Sequence, residues 1–152
     1  MENMFSSVLA QFEELKTRFP EPQQLMAQTT ELLRTRIPHY DWVGFYLLDS
    51  PNNMLVLGPY SGKPTEHTHI PVGKGVCGQV AESKQSMIVQ DVSQQTNYIA
   101  CSLDVQSEIV VPVLKNGQFV AEIDIDSHAF APFTKEDELF LTSIADQLAI
   151  YF

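Results

Sequence analysis

Apolar residues near the N-terminus recur every three or four positions, which is the spacing of an amphipathic helix. This spacing predicts a first helix over residues 4–18, with an inner face formed by Met4, Val8, Phe12 and Leu15. The sequence Pro-Glu-Pro at residues 20–22 interrupts the pattern. A second helical pattern then extends over residues 22–37, where Pro38 ends it. Its apolar positions include Leu25, Leu32 and Leu33.

The pattern then changes to short runs of β-branched and aromatic residues separated by turn residues, which is typical of strands. The runs are DWVGFYLLD (41–49), MLVLGPYSG (54–62), a short piece at 67–72, SMIVQ (86–90), SEIVVPVLK (107–115) and QFVAEIDIDS (118–127). Asn-Gly at residues 116–117 suits a type I′ turn, so the last two runs predict a hairpin. Asn-Asn at 52–53 is expected to join the first two.

Two further helices are predicted from the sequence. GKGVCGQVAESK (73–84) begins with glycines and continues with a helical pattern, and a final helix follows Phe133. Thr134 is expected to cap the final helix, with Asp137 at its third position, and its inner face is predicted to contain Leu139, Ile144 and Leu148. This order predicts a single α+β domain over residues 1–152, with an antiparallel sheet and the N- and C-terminal helices grouped on one face.

Composition and charge narrow the possible partners. The 152 residues include 9 basic and 19 acidic side chains, a formal net charge of −10, and the basic residues are scattered. Nucleic acid and anionic membranes need clustered cations, so neither is an expected partner. A cationic or zwitterionic ligand is favoured. With two cysteines and no signal peptide or membrane-spanning run, we expect a cytoplasmic protein with free thiols.

Acidic residues alternate along the last predicted strand. Alternation places Glu122, Asp124 and Asp126 on one face, and Glu108 from the other arm of the hairpin is expected to join them. We call these four residues the carboxylate cluster. General burial statistics favour a solvated sheet face. The alternative is a site that binds a cation, because adjacent like charges destabilise a sheet and crowded carboxyls separate their pKa values.

Aromatic residues and thiols offer further candidates. Trp42 and Tyr46 share a strand face, either as core or as the wall of a pocket. Cys77 lies near the start of the short helix, either as a small buried apolar residue or as a thiol whose pKa the helix lowers. Cys101 lies in a polar loop, which favours a functional thiol. The nearby acids Asp104 and Glu108 are expected to raise its pKa unless a cation intervenes.

The alternating histidines at 67 and 69 are compatible with a metal site. However, no second pair of ligands follows at a standard spacing. No metal site and no cofactor are therefore predicted.

Several motifs occur together in one order: WVGFY, LVLGPYSGKP, HIPVGKGVCG, YIAC, SEIVVPV and IDIDS. In this combination the chain resembles the free methionine-(R)-sulfoxide reductases, which are GAF-domain enzymes, over about residues 30–150. The resemblance implies a PAS-like antiparallel sheet with flanking helices. It also implies reduction of free L-methionine-(R)-sulfoxide through a cysteine sulfenic acid, a thioredoxin-type electron donor and a homodimer.

The resemblance also implies roles for individual residues. Cys101 matches the catalytic cysteine, and Glu108, Asp124 and Asp126 match the carboxylates around the substrate. Trp42 and Tyr46 match the aromatic pair near the substrate side chain, and Cys77 matches a second cysteine of the family.

The sequence departs from the family at three places. His67 stands where the family commonly has a third, resolving cysteine, SLDVQ follows Cys101 in place of small residues and an acid, and Glu122 replaces an apolar residue. The implied mechanism is attack by Cys101 on the sulfoxide sulfur, with a protonated carboxyl, Glu108 or an aspartate, donating to the oxygen. The alternative function is a GAF module that binds or senses an amino acid without turnover.

Overall fold

A computed structural model of the chain describes residues 4–95 and 104–152. In this part of the chain the α-helices are α1 (Met4–Arg18), α2 (Pro22–Arg36), α3 (Gly75–Ser83) and α4 (Lys135–Leu148). The strands are β1 (Trp42–Asp49), β2 (Met54–Ser61), β3 (His69–Pro71), β4 (Met87–Val89), β5 (Ser107–Lys115) and β6 (Gln118–Ser127). Each predicted helix and strand is present, within a few residues of its expected bounds.

The strands form one antiparallel sheet in the order β3-β2-β1-β6-β5-β4. The adjacent strands β5 and β6 are joined by the Asn116-Gly117 turn, where both residues have positive φ, as the predicted type I′ turn requires. The β1–β2 connection is a short 3₁₀ turn that ends at Asn53 in the left-handed conformation. The predicted α+β class is therefore confirmed.

The two faces of the sheet are covered by different helices. One face contributes Val43, Phe45, Ile123 and similar residues to a core shared with α1, α2 and α4. The opposite face contributes Trp42 and Tyr46 to a smaller core that includes residues of α3. Because α3 lies on this second face, neither side of the central strands is solvated.

Helix α4 follows its predicted capping pattern but not all of its predicted inner face. The Thr134 side chain accepts from the Asp137 amide, and the Asp137 side chain accepts from the Thr134 amide, which completes a capping box. Ile144 and Leu148 are buried as expected, but Leu139 is 60% exposed, so its placement on the inner face is wrong. The buried stripe instead passes through Phe140 and Leu141, one and two positions further along.

Helix α1 is covered by its own chain. Val8 and Phe12 are fully buried in the larger core, so burial of these two residues does not require a second protein chain. Among the described residues, no helix combines the length and apolarity needed to cross a bilayer.

Asp137 also connects α4 to the segment before β1. Its Oδ1 atom accepts from the Tyr40 hydroxyl at 2.7 Å and lies 2.9 Å from His39 Nε2. Burial alone would raise the pKa of this carboxyl. Hydrogen bonds from His39, Tyr40 and Thr134 outweigh burial and lower the pKa below its usual value of 3.8.

A lowered pKa makes Asp137 a source of stability that is present above its unfolded pKa and is lost as the pH falls through its folded pKa. Asp137→Asn is expected to lower the free energy of unfolding by about 1–2 kcal/mol at pH 7. In the acid limb of the stability curve, below about pH 4, the free energy of unfolding of this variant should fall less steeply with falling pH than that of the parent. Urea unfolding at several pH values measures this. Asp146→Asn, at an exposed position of the same helix, is the control and should behave like the parent. An unchanged acid limb in Asp137→Asn would contradict the prediction.

Candidate functional site

The register of three central strands brings the predicted site residues onto one face. Trp42 on β1 is opposite Asp126 on β6, and Tyr46 is opposite Glu122. On the other side of β6, Glu108 of β5 is opposite Asp126. Residues opposite each other in an antiparallel pair share a face. The carboxylate cluster and the two aromatic residues therefore lie side by side, beneath α3.

The carboxylate cluster is buried, so the interpretation as a solvated sheet face is wrong. Glu108, Glu122, Asp124 and Asp126 are each at most 3% exposed. The reason is tertiary: the apolar side of α3, with Val76 and Val80, packs on this face. In residues 4–95 and 104–152, no ion pair joins Glu108, Glu122 or Asp124 to a basic side chain. Buried acids without such partners are costly when ionised.

Burial changes the acidity of these groups. It raises the pKa of Glu108 well above its usual value, and the charges of Asp124 and Asp126 raise it further. Burial and the Asp124 charge also raise the pKa of Glu122 well above its usual value. The pKa of Asp124 is raised because burial outweighs its hydrogen bonds. A carboxyl that keeps its proton at neutral pH can donate it to a reacting group.

Cys77 lies on α3 directly above the cluster. Its Sγ atom is 4.0 Å from Glu108 Oε2, and the side chain is buried. Burial raises the pKa of this thiol well above its usual value, and the charges of Asp124 and Glu122 add to the effect. Of the two alternatives for Cys77, burial as a small residue is confirmed, and the alternative of a pKa lowered by the helix is wrong because burial and the acids dominate.

A cavity of about 10 Å³ separates α3 from the sheet. Its walls include Tyr46, His67, Cys77, Glu108 and Asp124. This space is close to the minimum for one water molecule, so it also suits an ammonium group or a single ion. A larger pocket, of about 390 Å³, is lined by Arg34, Asp41, Trp42, Gly62, Lys63, Val105 and His128. Trp42 and Tyr46 therefore line different cavities, although they share a strand face.

Tyr46 and Trp42 are held by hydrogen bonds to one connecting segment. The Tyr46 hydroxyl donates to the His67 carbonyl at 2.7 Å, and Trp42 Nε1 donates to the Lys63 carbonyl at 2.9 Å. The Trp42 ring stacks on Tyr60, with ring centroids 5.6 Å apart. These contacts fix both rings within the smaller core, where each ring also lines a cavity. The interpretation as core and the interpretation as a pocket wall are therefore compatible.

Gly44 is a site residue that the sequence analysis missed. A Cβ atom at this position would lie 2.3 Å from the Trp42 ring, because the indole lies across the Gly44 backbone. A glycine within a strand often marks a close approach of another group to the backbone. Gly44 within the strand pattern of residues 41–49 was therefore the sequence signal for this contact.

Gly44→Ala is expected to displace the Trp42 ring and to lower stability by about 1–3 kcal/mol through overpacking. Trp42 is the single tryptophan of the chain, so its fluorescence emission reports the displacement directly. Gly117→Ala is the control: no atom lies within 4 Å of its added Cβ, but its φ of +79° strains a side chain. Both variants should lose stability, and only Gly44→Ala should shift the emission. An unshifted spectrum in Gly44→Ala would contradict this account.

Two predicted features stand apart from this geometry. Cys101 lies outside the described residues, so its predicted catalytic role remains a prediction. Of the two alternating histidines, His67 lines the small cavity, whereas the exposed His69 contacts the Thr68 hydroxyl. The alternation does not bring the two histidines into one site.

Comparison with known proteins identifies relatives of this fold and site. The GAF domain family matches residues 21–152. A free methionine-R-sulfoxide reductase of Escherichia coli K12 is 42% identical over 123 residues, which cover 81% of this chain and 73% of that protein.

Solved structures agree with this relationship. The X-ray structure of free methionine-R-sulfoxide reductase from Neisseria meningitidis, in complex with its substrate, superposes with a TM-score of 0.92 at 36% identity, covering 97% of this chain and 87% of that one. The fRMsr of Staphylococcus aureus, in complex with substrate, gives a TM-score of 0.87 at 33% identity, covering 97% and 94%. The GAF fold is thus confirmed, and the chain belongs to the free methionine-R-sulfoxide reductase family, a family of GAF-domain oxidoreductases.

Proposed function

We propose that this protein reduces free L-methionine-(R)-sulfoxide to methionine. The observation that carries the proposal is the buried carboxylate cluster beside a cavity of about 10 Å³. Within residues 4–95 and 104–152, Glu108, Glu122 and Asp124 form no ion pair with a basic side chain. Such buried carboxylates favour a cationic guest, and the ammonium group of a free amino acid is such a guest. A residue within a peptide has no ammonium group, which supports selection of the free amino acid. The relatives named for this activity support the same substrate.

Glu108, Asp124 and Asp126 are proposed to hold the substrate ammonium. Glu108 and Asp124 line the cavity, and Asp126 is opposite Glu108 in the sheet. Trp42 and Tyr46 are proposed to bound the methylsulfinyl side chain, because aromatic faces make favourable contacts with methyl groups and sulfur. The small cavity accommodates the ammonium end, and the remainder of the amino acid requires the surrounding side chains to adjust.

Cys101 is proposed as the nucleophile. Its sulfur attacks the sulfoxide sulfur while a protonated carboxyl, Glu108 or an aspartate, donates a proton to the sulfoxide oxygen. The attack forms a sulfur–sulfur bond, and the protonated oxygen then moves from the substrate sulfur to the Cys101 sulfur. The sulfur–sulfur bond breaks with this transfer, so methionine leaves as the thioether and Cys101 is left as a sulfenic acid. The raised pKa of Glu108 supports the role of proton donor.

Cys77 is proposed as the resolving thiol. Its sulfur attacks the sulfenic sulfur of Cys101, a disulfide forms and water leaves. A thioredoxin-type dithiol then reduces the disulfide. The family resemblance implies that His67 stands at the position of a third, resolving cysteine, and Cys77 is the other of the two cysteines in the sequence. A cytoplasmic location and a homodimer complete the proposal, and both rest on the sequence and its resemblance.

The test is incubation of the reduced protein with the separate R and S epimers of free methionine sulfoxide and dithiothreitol, followed by quantification of methionine. Methionine should form from the R epimer at a much higher rate. The presence of His67 in place of the third cysteine favours one alternative, a module that binds the amino acid without turnover. That alternative predicts calorimetric binding of the R epimer with no methionine formed, and this result would reject the enzymatic proposal.

A further inference from the structure

Three buried side chains on α3, β5 and β6 form a set of potential metal ligands. The Cys77 sulfur, a Glu108 carboxylate oxygen and an Asp124 carboxylate oxygen all lie within 4.8 Å of one another. A tetrahedral zinc ion with bonds of about 2.0–2.3 Å places its donor atoms roughly 3.5 Å apart. Each donor atom therefore needs to move by only about 1 Å to coordinate one ion.

A second observation points to a guest at the same place. Asp124 is 1% exposed and lines the small cavity, yet its Oδ1 atom makes no hydrogen bond to any residue within 4–95 or 104–152. Both carboxylate oxygens of the neighbouring Glu122 also lack a hydrogen-bond partner in the described part of the chain. Buried polar atoms in native proteins are normally satisfied, so these atoms indicate a missing cationic or hydrogen-bonding partner.

The chemistry of the donors selects the class of ion. A thiolate is a soft ligand, and carboxylates and imidazole are harder, which together suit Zn²⁺ or Co²⁺ and do not suit Mg²⁺ or Ca²⁺. His67 lines the same cavity and supplies a candidate fourth ligand. The alternating histidines did not reveal this set, because its three core donors are separated in sequence and meet only in the fold.

We propose that Cys77, Glu108 and Asp124 form a binding site for a divalent ion of the zinc type, with His67 or water as the fourth ligand. On binding, the Cys77 thiol releases its proton to solvent and coordinates as the thiolate. If the proposed function holds, the ion occupies the carboxylates that would bind the substrate ammonium. Zinc is then a competitive inhibitor of the reductase.

Titration of the reduced full-length protein with Co²⁺ tests the site without reference to activity. Coordination by Cys77 should produce a thiolate-to-cobalt charge-transfer band in the near ultraviolet. The visible bands of four-coordinate Co²⁺ should appear with it. Added Zn²⁺ should displace the Co²⁺ and so remove all of these bands. Cys77→Ser should abolish the charge-transfer band. Cys101→Ser, the matched control, should retain it. Asp124→Asn should weaken Co²⁺ binding at least tenfold. Far-ultraviolet circular dichroism checks that each variant is folded.

The outcomes separate this inference from the proposed function. Absence of the band in the folded parent, or its loss in Cys101→Ser with retention in Cys77→Ser, overturns the metal site whether or not methionine sulfoxide is reduced. A band in a protein that does not reduce methionine sulfoxide rejects only the proposed function. If both hold, addition of free methionine-(R)-sulfoxide should raise the Co²⁺ concentration needed for half saturation. An unchanged concentration would overturn the shared site.

Discussion

Cys101→Ser is expected to lower methionine formation from free methionine-(R)-sulfoxide to less than about one-thousandth of the parental rate, because removal of a nucleophile typically costs several orders of magnitude. A serine hydroxyl neither attacks the sulfoxide sulfur at neutral pH nor stores the oxygen atom as a sulfenic acid. The measurement is methionine released in a single turnover, with excess dithiothreitol to remove any dependence on recycling.

Cys77→Ser is the matched control for this prediction. It removes the buried thiol on α3 and leaves the proposed nucleophile, so a single turnover should remain near the parental level. Multiple turnovers with a thioredoxin-type donor should fall, because no internal disulfide can form. A Cys101→Ser protein that still produces methionine would reject the assignment of the nucleophile.

Substrates without the ammonium group are expected to be reduced at least about 100-fold less efficiently, since each lost hydrogen bond to a charged group is worth about 1.5–3 kcal/mol. Two analogues test this: the N-acetyl derivative, and the 2-hydroxy acid in which a hydroxyl replaces the ammonium group. The hydroxy acid matters because it removes the charge without adding bulk. The measurement is kcat/KM for each analogue and for the free amino acid.

Asp124→Asn provides the corresponding change in the protein. It removes one buried carboxylate charge with little change of shape, so kcat/KM for the free amino acid should fall about 10- to 100-fold. The value for the hydroxy acid should change much less, because that substrate makes no ion pair to lose. Equal efficiency on all three substrates in the parent would show that the carboxylates do not select the ammonium group.

Local patterns in the sequence were sufficient to predict most of the fold. The Asn116-Gly117 turn, the Thr134–Asp137 capping box and the interruption at Pro20 act over a few residues, so their effect is readable without tertiary information. Leu139 shows the limit of this approach. Its spacing is compatible with an inner face, but the neighbours that pack on α4 decide which stripe is buried.

The candidate site could be defined only from the sequence and the tertiary structure together. Alternation along β6 was enough to place Glu122, Asp124 and Asp126 on one face, because the side-chain period of a strand is local. The sequence also determined the presence of a second cysteine, Cys101, and the motif order that identified the family. Whether that acidic face was solvated depended on where α3 lies, and no local pattern contains that information.

The tertiary structure alone decided the electrostatics of the site. The sequence left two alternatives open for Cys77, a small buried residue or a thiol whose pKa the helix lowers. Packing buries it near Glu108 and Asp124, and its pKa is raised. Desolvation and through-space charge depend on distances between segments far apart in the chain. The sequence by itself therefore determined which groups are available for chemistry, whereas the packing of α3 on the sheet decided which of them meet, because only a folded chain sets the distance and dielectric between them.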